Sequence, residues 1–344
     1  MLRLALGLAL GWLVGAIRAD NPLSFEARPG GRTATLKLGE TGQPGFTLLP
    51  ASATGLAFTN LCAEARSLTN HILLNGSGVA AGDIDGDGRC DLYFCGLDGP
   101  NVLYRNRGDW RFEDITDAAG VACPGLDATG AVFADVDGDG HLDLLVSAIG
   151  QGVRLFHNDG RGRFTEVTAA AGLASTSASL TMTLADVDGD GALDLYVANY
   201  RTTTMRDAFR MQIRVGRVDG RPVIKQVNGR DVNDPELAGR FAIDEAGNIT
   251  ENGEADAFYR NDGHGHFRLQ SWTDGTFRDE DGQPLTHPPY DWSLTAMFRD
   301  LDGDGRPDLY VCGDLASPDR IWMNRGEGRF QAVRRTAFRK TSWF

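Results

Sequence analysis

Sixteen aspartates stand at fixed spacing in this chain. Asp83, Asp85, Asp87 and Asp91 hold positions 1, 3, 5 and 9 of the stretch Asp83-Ile-Asp-Gly-Asp-Gly-Arg-Cys-Asp-Leu92. The pattern returns with Asp135, Asp137, Asp139 and Asp143, then with Asp186, Asp188, Asp190 and Asp194, and again with Asp300, Asp302, Asp304 and Asp308. Gly fills positions 4 and 6 of every copy and Leu position 10. Carboxylates a few ångströms apart repel strongly unless a cation lies among them. Hard oxygen ligands at alternating positions, wrapped by glycine, suit Ca2+. Magnesium prefers to keep its waters. The backbone carbonyls at position 7, those of Arg89, His141, Ala192 and Arg306, are expected to add one oxygen each. About four calcium ions are therefore expected. The first five residues of each loop look like an EF-hand, but Phe94, Val146, Val197 and Val311 stand where that loop needs its bidentate Glu.

The elements that must hold these loops are strands. Each loop is entered by an apolar segment (Gly78 to Gly82, Ala131 to Ala134) and left by another (Asp91 to Cys95, Asp194 to Ala198). A third segment, such as Asn101 to Tyr104 or Arg320 to Met323, leads into an Asn-x-Gly turn and a fourth, such as Phe112 to Thr116. The turns begin at Asn106, Asn158, Asn261 and Asn324. β-Branched and aromatic residues fill the segments, and Gly and Asn punctuate them. Four short strands per unit of about fifty residues predict an all-β fold, a β-propeller of four-stranded blades. Blades are expected at about 76–121, 128–173, 179–274 and 291–334, with 335–344 starting a next one. The third carries an insertion at about 200–255, rich in charge and turns, in which Val223 to Val227 and Arg240 to Ile243 read as strands. Phe46 to Pro50 repeats the pattern of the outer strand at Phe112. Four visible blades suggest a piece of a larger ring.

Composition narrows the partners. The formal charge of -13 argues against nucleic acid, and sixteen of the acidic residues belong to the loops. Residues 1–19, with Arg3, an apolar run from Leu4 to Val14 and small Ala16 and Ala19, read as a signal peptide. A linker at 20–45 follows, and the mature chain has no membrane span. The location expected is secreted, periplasmic or cell surface. Of five cysteines, Cys95 and Cys312 read as small buried strand residues; Cys62, Cys90 and Cys123 leave any disulfide open. The turn histidines His264 and His266 read as solvated. No nucleophile elbow, zinc-protease motif or phosphate loop is present.

The Asp-x-Asp-Gly-Asp-Gly-x-x-Asp-Leu loops with their Asn-x-Gly-x-x-x-Phe hairpins resemble the FG-GAP/VCBS repeats of integrin-alpha-type β-propellers. Gly76-Ser-Gly-Val-Ala-Ala-Gly-Asp83 and Phe164-Thr-Glu-Val-Thr-Ala-Ala-Ala-Gly-Leu173 are similar to the secreted cartilage-acidic-protein-like branch of that family. The likeness covers roughly residues 46 to 344. It implies about seven blades, calcium in the hairpin loops, and extracellular adhesion or recognition. The large insertion in the third unit has no fixed role in that pattern. The function expected is a calcium-binding module for an extracellular protein or glycan, not an enzyme. The alternative is a calcium-dependent polysaccharide-active enzyme on the same scaffold.

Overall fold

A computed structural model describes residues 25–28, 31–34, 46–207, 211–234, 237, 239–244, 246–314 and 317–334. The expected signal peptide 1–19, most of the linker 20–45 and the expected next blade at 335–344 lie outside the described residues. An N-terminal unit, Met1–Leu49, contributes one described hairpin, Phe25–Arg28 antiparallel to Gly31–Ala34. The second unit, Pro50–Phe344, holds the four repeats.

Each repeat folds into its own antiparallel sheet, with neighbours in sequence paired. The first contains Val79–Gly82, Asp91–Phe94, Val102–Asn106 and Phe112–Asp114. The second contains Ala128–Ala134, Asp143–Ala148, Gly152–Asn158 and Phe164–Glu166. The third contains Ser179–Ala185, Asp194–Asn199, Ala257–Asn261 and Phe267–Leu269. Its second and third strands pair directly, so the chain from Tyr200 to Asp256 leaves the sheet and returns. The fourth contains Ser293–Arg299, Asp308–Gly313, Arg320–Asn324 and Phe330–Ala332. A short fifth strand, Phe277–Arg278, adds to it in parallel. The excursion forms two small sheets, Ile213–Val218 with Arg221–Val227 and Arg230–Asp231, and Phe241–Ile243 with Ile249–Glu251. They close over Ile224, Val227, Leu237 and Phe241.

The core lies between successive sheets, and the two-residue period of a strand explains it. Leu144 and Val146 pack with Tyr93 and Leu103 of the first repeat. Leu145, one residue along, packs with Leu195, Val197 and Tyr259 of the third. Tyr196 and Phe258 in turn meet Leu309, Trp322 and Phe330 of the fourth. A strand buried on both faces reads as a continuous apolar run, and all six residues of Asp143–Ala148 are buried. At the ends of the second strands away from the Asp loops, Leu97, Ile149 and Tyr200 join Ile72, Leu73 and Trp292 in a further cluster.

That same end is fastened by a tyrosine–Asx pair. Tyr93 Oη accepts from Asn101 Nδ2 at 2.7 Å, and Asn101 Oδ1 accepts from Gly96 N–H. Tyr196 donates to Asp256 at 2.6 Å, and Asp256 accepts from Asn199 N–H and from Ser293 Oγ. Tyr310 and Asp319 repeat the arrangement. In the second repeat both partners are apolar at once, Leu145 and Val153, and both are buried.

Two expectations need correction. Phe46 to Pro50 forms no strand, and all five residues are exposed. A strand needs a neighbour: Phe112–Asp114 has one in its own hairpin, and Phe46 to Pro50 has none among the described residues. The later part of the echo is structural, since the helical turn Ala51–Thr54 ends at left-handed Gly55 as Thr116–Ala119 ends at Gly120. Cys312 is half-buried, unlike its equivalent Cys95, which is buried. All five thiols are free.

Candidate metal centre

Each Asp loop joins the first and second strands of its repeat. The chain can turn so tightly there because Gly86 and Gly88, at φ 70° and 82°, take left-handed conformations that a side chain would resist. The same holds for the paired glycines of the other three loops.

The four carboxylates of a loop have different work. Position 1 organises the turn: Asp83 accepts from Asp87 N–H at 3.0 Å and Gly88 N–H at 2.8 Å. Asp135, Asp186 and Asp300 do the same with their own loop amides. For Asp300 these amides, Gly305 N–H foremost, hold the carboxyl below its ordinary range. Position 5 accepts from the amide of position 7, as in Asp87 from Arg89, Asp139 from His141, Asp190 from Ala192 and Asp304 from Arg306. Arg89 and Arg306 also pair with that carboxylate through their guanidinium groups.

Position 9 opens the second strand and is buried in all four repeats. Asp91 accepts from Ile84 N–H at 3.0 Å and from the turn residue Asn106 N–H at 2.7 Å. Asp143 and Asp308 make the matching pairs, and Asp194 accepts from Asn261 N–H. Burial raises the Asp91 and Asp194 carboxyls and pushes Asp143 up to about 6.

Position 3 differs between repeats: Asp188 and Asp302 are exposed, Asp137 is half-buried, and Asp85 is the most covered at its carboxylate. The Asp85 side chain is 8% exposed, and its Oδ1 is buried with no hydrogen-bond partner. A carboxylate oxygen left bare among carboxylates fits a bound cation, because an unpaired buried acceptor is otherwise costly. Ligand atoms from Asp83, Asp85 and Asp91 lie within 4.8 Å of one another, as do those of Asp135, Asp137 and Asp143. The same is true of Asp186, Asp188 and Asp190, and of Asp300, Asp302 and Asp304.

These sites sit in four copies of one repeat, and that repeat has a name. The FG-GAP-like repeat matches residues 83–146, 145–197, 248–311 and 300–344, more than half of the chain. The chain belongs to the FG-GAP-like repeat family. Cartilage acidic protein 1 of Homo sapiens is 31% identical over 173 residues, covering 49% of this chain and 26% of the relative. The Mus musculus protein of that name is 30% identical over the same length. The chain thus spans about a quarter of the length of these curated relatives. Among solved structures, the V. cholerae biofilm matrix protein Bap1 matches 73% of this chain and 38% of its own. The identity is 17% and the TM-score 0.30.

Successive FG-GAP repeats are tied together at the loops themselves. The turn asparagine of one repeat donates both to its own loop and to the loop before it. Asn158 Nδ2 reaches Leu142 O and, across the repeat boundary, Ile84 O at 2.8 Å. Asn261 reaches Val136 O and Asn324 reaches Val187 O in the same way. The position-2 carbonyl of each of the first three loops is thereby fixed by the following repeat.

Sequence reasoning missed the residue just before that asparagine. Arg105 pairs with Asp85, Arg260 reaches Asp188 at 2.9 Å and Asp194 at 2.7 Å, and His157 lies 3.1 Å from Asp137. The fourth FG-GAP repeat has Met323 there. The signal was available as the tripeptides Tyr-Arg-Asn106, Phe-His-Asn158 and Tyr-Arg-Asn261. Asp256 was missed as well, because nothing local to it marks its partners at Tyr196 and Ser293.

Proposed function

We propose that the protein is an exported β-propeller whose four Asp loops bind calcium, acting as an extracellular binding or adhesion module for a protein or glycan. The blades are assigned to about 76–121, 128–173, 179–274 and 291–334, as part of a ring of about seven. The observation that carries the calcium reading is the bare, buried Oδ1 of Asp85 inside a cluster of carboxylates. The ligands assigned are the Asp side chains at positions 1, 3, 5 and 9 and the carbonyls of Arg89, His141, Ala192 and Arg306. When bound, the ion supplies positive charge that removes carboxylate repulsion and stiffens the hairpin. The chain itself orients Asp at positions 1 and 9 through backbone amides, which lowers the cost of ordering on binding.

Export is supported by the N-terminal sequence and by the family. No helix among the described residues is long and apolar enough to cross a membrane. Recognition is assigned to surfaces other than the loops, because the loop carboxylates are committed to the metal. The Tyr200 to Ala255 excursion is the leading surface: it has its own small core, and it carries the exposed apolar residues Val215 and Val218. Calcium titration by calorimetry tests the metal reading, with about four ions per chain expected. Binding of one or none, together with a melting temperature unmoved by EDTA, would end it. For recognition, deleting 208–248 should abolish binding to an extracellular-matrix protein or glycan array without unfolding the repeats.

A further inference from the structure

The second Asp loop is set apart by imidazole. Where the other repeats carry Arg105, Arg260 and Met323, it has His157, whose Nδ1 lies 3.1 Å from Asp137 Oδ2 and 3.3 Å from Asp143 Oδ1. One ligand atom from each of Asp137, Asp139 and His157 falls within a 4.8 Å span. The hairpin turn of the third repeat lies over this same loop. Asn261 of that turn donates to Val136 O, and a Cβ on Gly265 would come within 3.4 Å of Asp137 Cβ. His264 and His266 of the turn line a cleft of about 200 Å³ together with Asp137, Asp143 and His157. The matching turn over the first loop carries Arg161 and Arg163, and the one over the third carries Glu327 and Arg329. Only at the second loop do imidazoles stand in all three places.

We propose that this cleft binds a borderline divalent transition metal of the Zn2+ class, held by His157, Asp137 and Asp139 and completed by a turn histidine. Carboxylates alone favour calcium and magnesium, whereas imidazole nitrogen favours zinc and its neighbours. Two ligands of one tetrahedral zinc ion sit about 3.3 Å apart, close to the separation of His157 Nδ1 and Asp137 Oδ2. His266 is prepared for the role, since its Nδ1 lies 3.1 Å from Asp262 Oδ2 and its Nε2 remains for a metal. Zinc would share Asp137 and Asp139 with calcium, so it competes at this loop and leaves the other three alone.

The test is calorimetric titration of the untagged chain with ZnCl2, calcium being present throughout. One zinc per chain is expected. His157→Arg copies the residue of the first and third repeats, and so keeps the fold; it should weaken zinc at least about tenfold. The double variant His264→Arg, His266→Arg copies Arg161 and Arg163 and should weaken it also. Co2+ in place of Zn2+ should show visible absorption bands in wild type that His157→Arg loses. The proposal is overturned if the wild type binds no zinc, or if His157→Arg binds it as tightly as wild type does. Should calcium bind nowhere while these zinc results hold, the calcium reading fails and this one stands.

Discussion

At the scale of single residues, two aspartates carry opposite burdens. Asp85 keeps one oxygen bare in the first loop. Asp85→Asn is therefore expected to remove one calcium ion per chain from the calorimetric stoichiometry, or to weaken it at least tenfold, while the other loops titrate unchanged. Asp256 is buried among hydrogen-bond donors. Burial pushes its carboxyl up to about 7, against an unfolded value of about 3.9. The folded state thus holds a proton that the unfolded state has lost between about pH 4 and 7, and stability must fall as pH rises through that window. The slope from this one group is at most about 1.4 kcal/mol per pH unit. Asp256→Asn should remove it, because Asn101 fills the equivalent place beside Tyr93 in the first repeat. Denaturant titrations of both proteins from pH 4.5 to 7.5 check this. A wild-type-minus-variant difference that stays flat would show that Asp256 holds no proton.

At the scale of elements, the hairpin turn is a fastener between repeats. Asn158 and Asn106 look identical in sequence, each opening an Asn-x-Gly turn. Asn158 Nδ2 nevertheless satisfies two carbonyls, one of them in the preceding repeat, while Asn106 Nδ2 reaches, among the described residues, Cys90 O alone. Losing a partner strands each buried acceptor at about 1–3 kcal/mol. Asn158→Ala is expected to cost about 3 kcal/mol in chemical denaturation and Asn106→Ala about 1 kcal/mol. Equal losses would mean that the link to Ile84 contributes nothing. The strand and hairpin pattern was legible because it is local: β-branched runs, Asn-Gly punctuation and glycine-paired loops act within ten residues. The cross-repeat donor was not legible, because a sequence gives no distance between residues 84 and 158.

At the scale of the whole molecule, stability resides between sheets. Leu144 and Leu145 are adjacent, both fully buried, and face different neighbours. Each substitution to Ala should cost about 3 kcal/mol. Hydrogen exchange should then loosen the first and second repeats in Leu144→Ala, and the second and third in Leu145→Ala. Loosening confined to the same segments in both variants would contradict the alternating core.

The sequence by itself determined the repeat, its four strands, its family and the positions of the four sets of carboxylates, since each is written in the order and spacing of residues along the chain. The interval of 114 between loop starts at Asp186 and Asp300, against 52 and 51, also marks the third repeat as the long one. Only the tertiary structure decided what surrounds each loop. Arg105, His157, Arg260 and Met323 distinguish four loops that share one motif, and the turn that covers a loop belongs to the following repeat. Strand pairing within a sheet brings Arg105 to Asp85 and His157 to Asp137, and packing of one sheet on the next brings Asn158 to Ile84 and Asn261 to Val136; pairing at either range follows from geometry, not from local pattern.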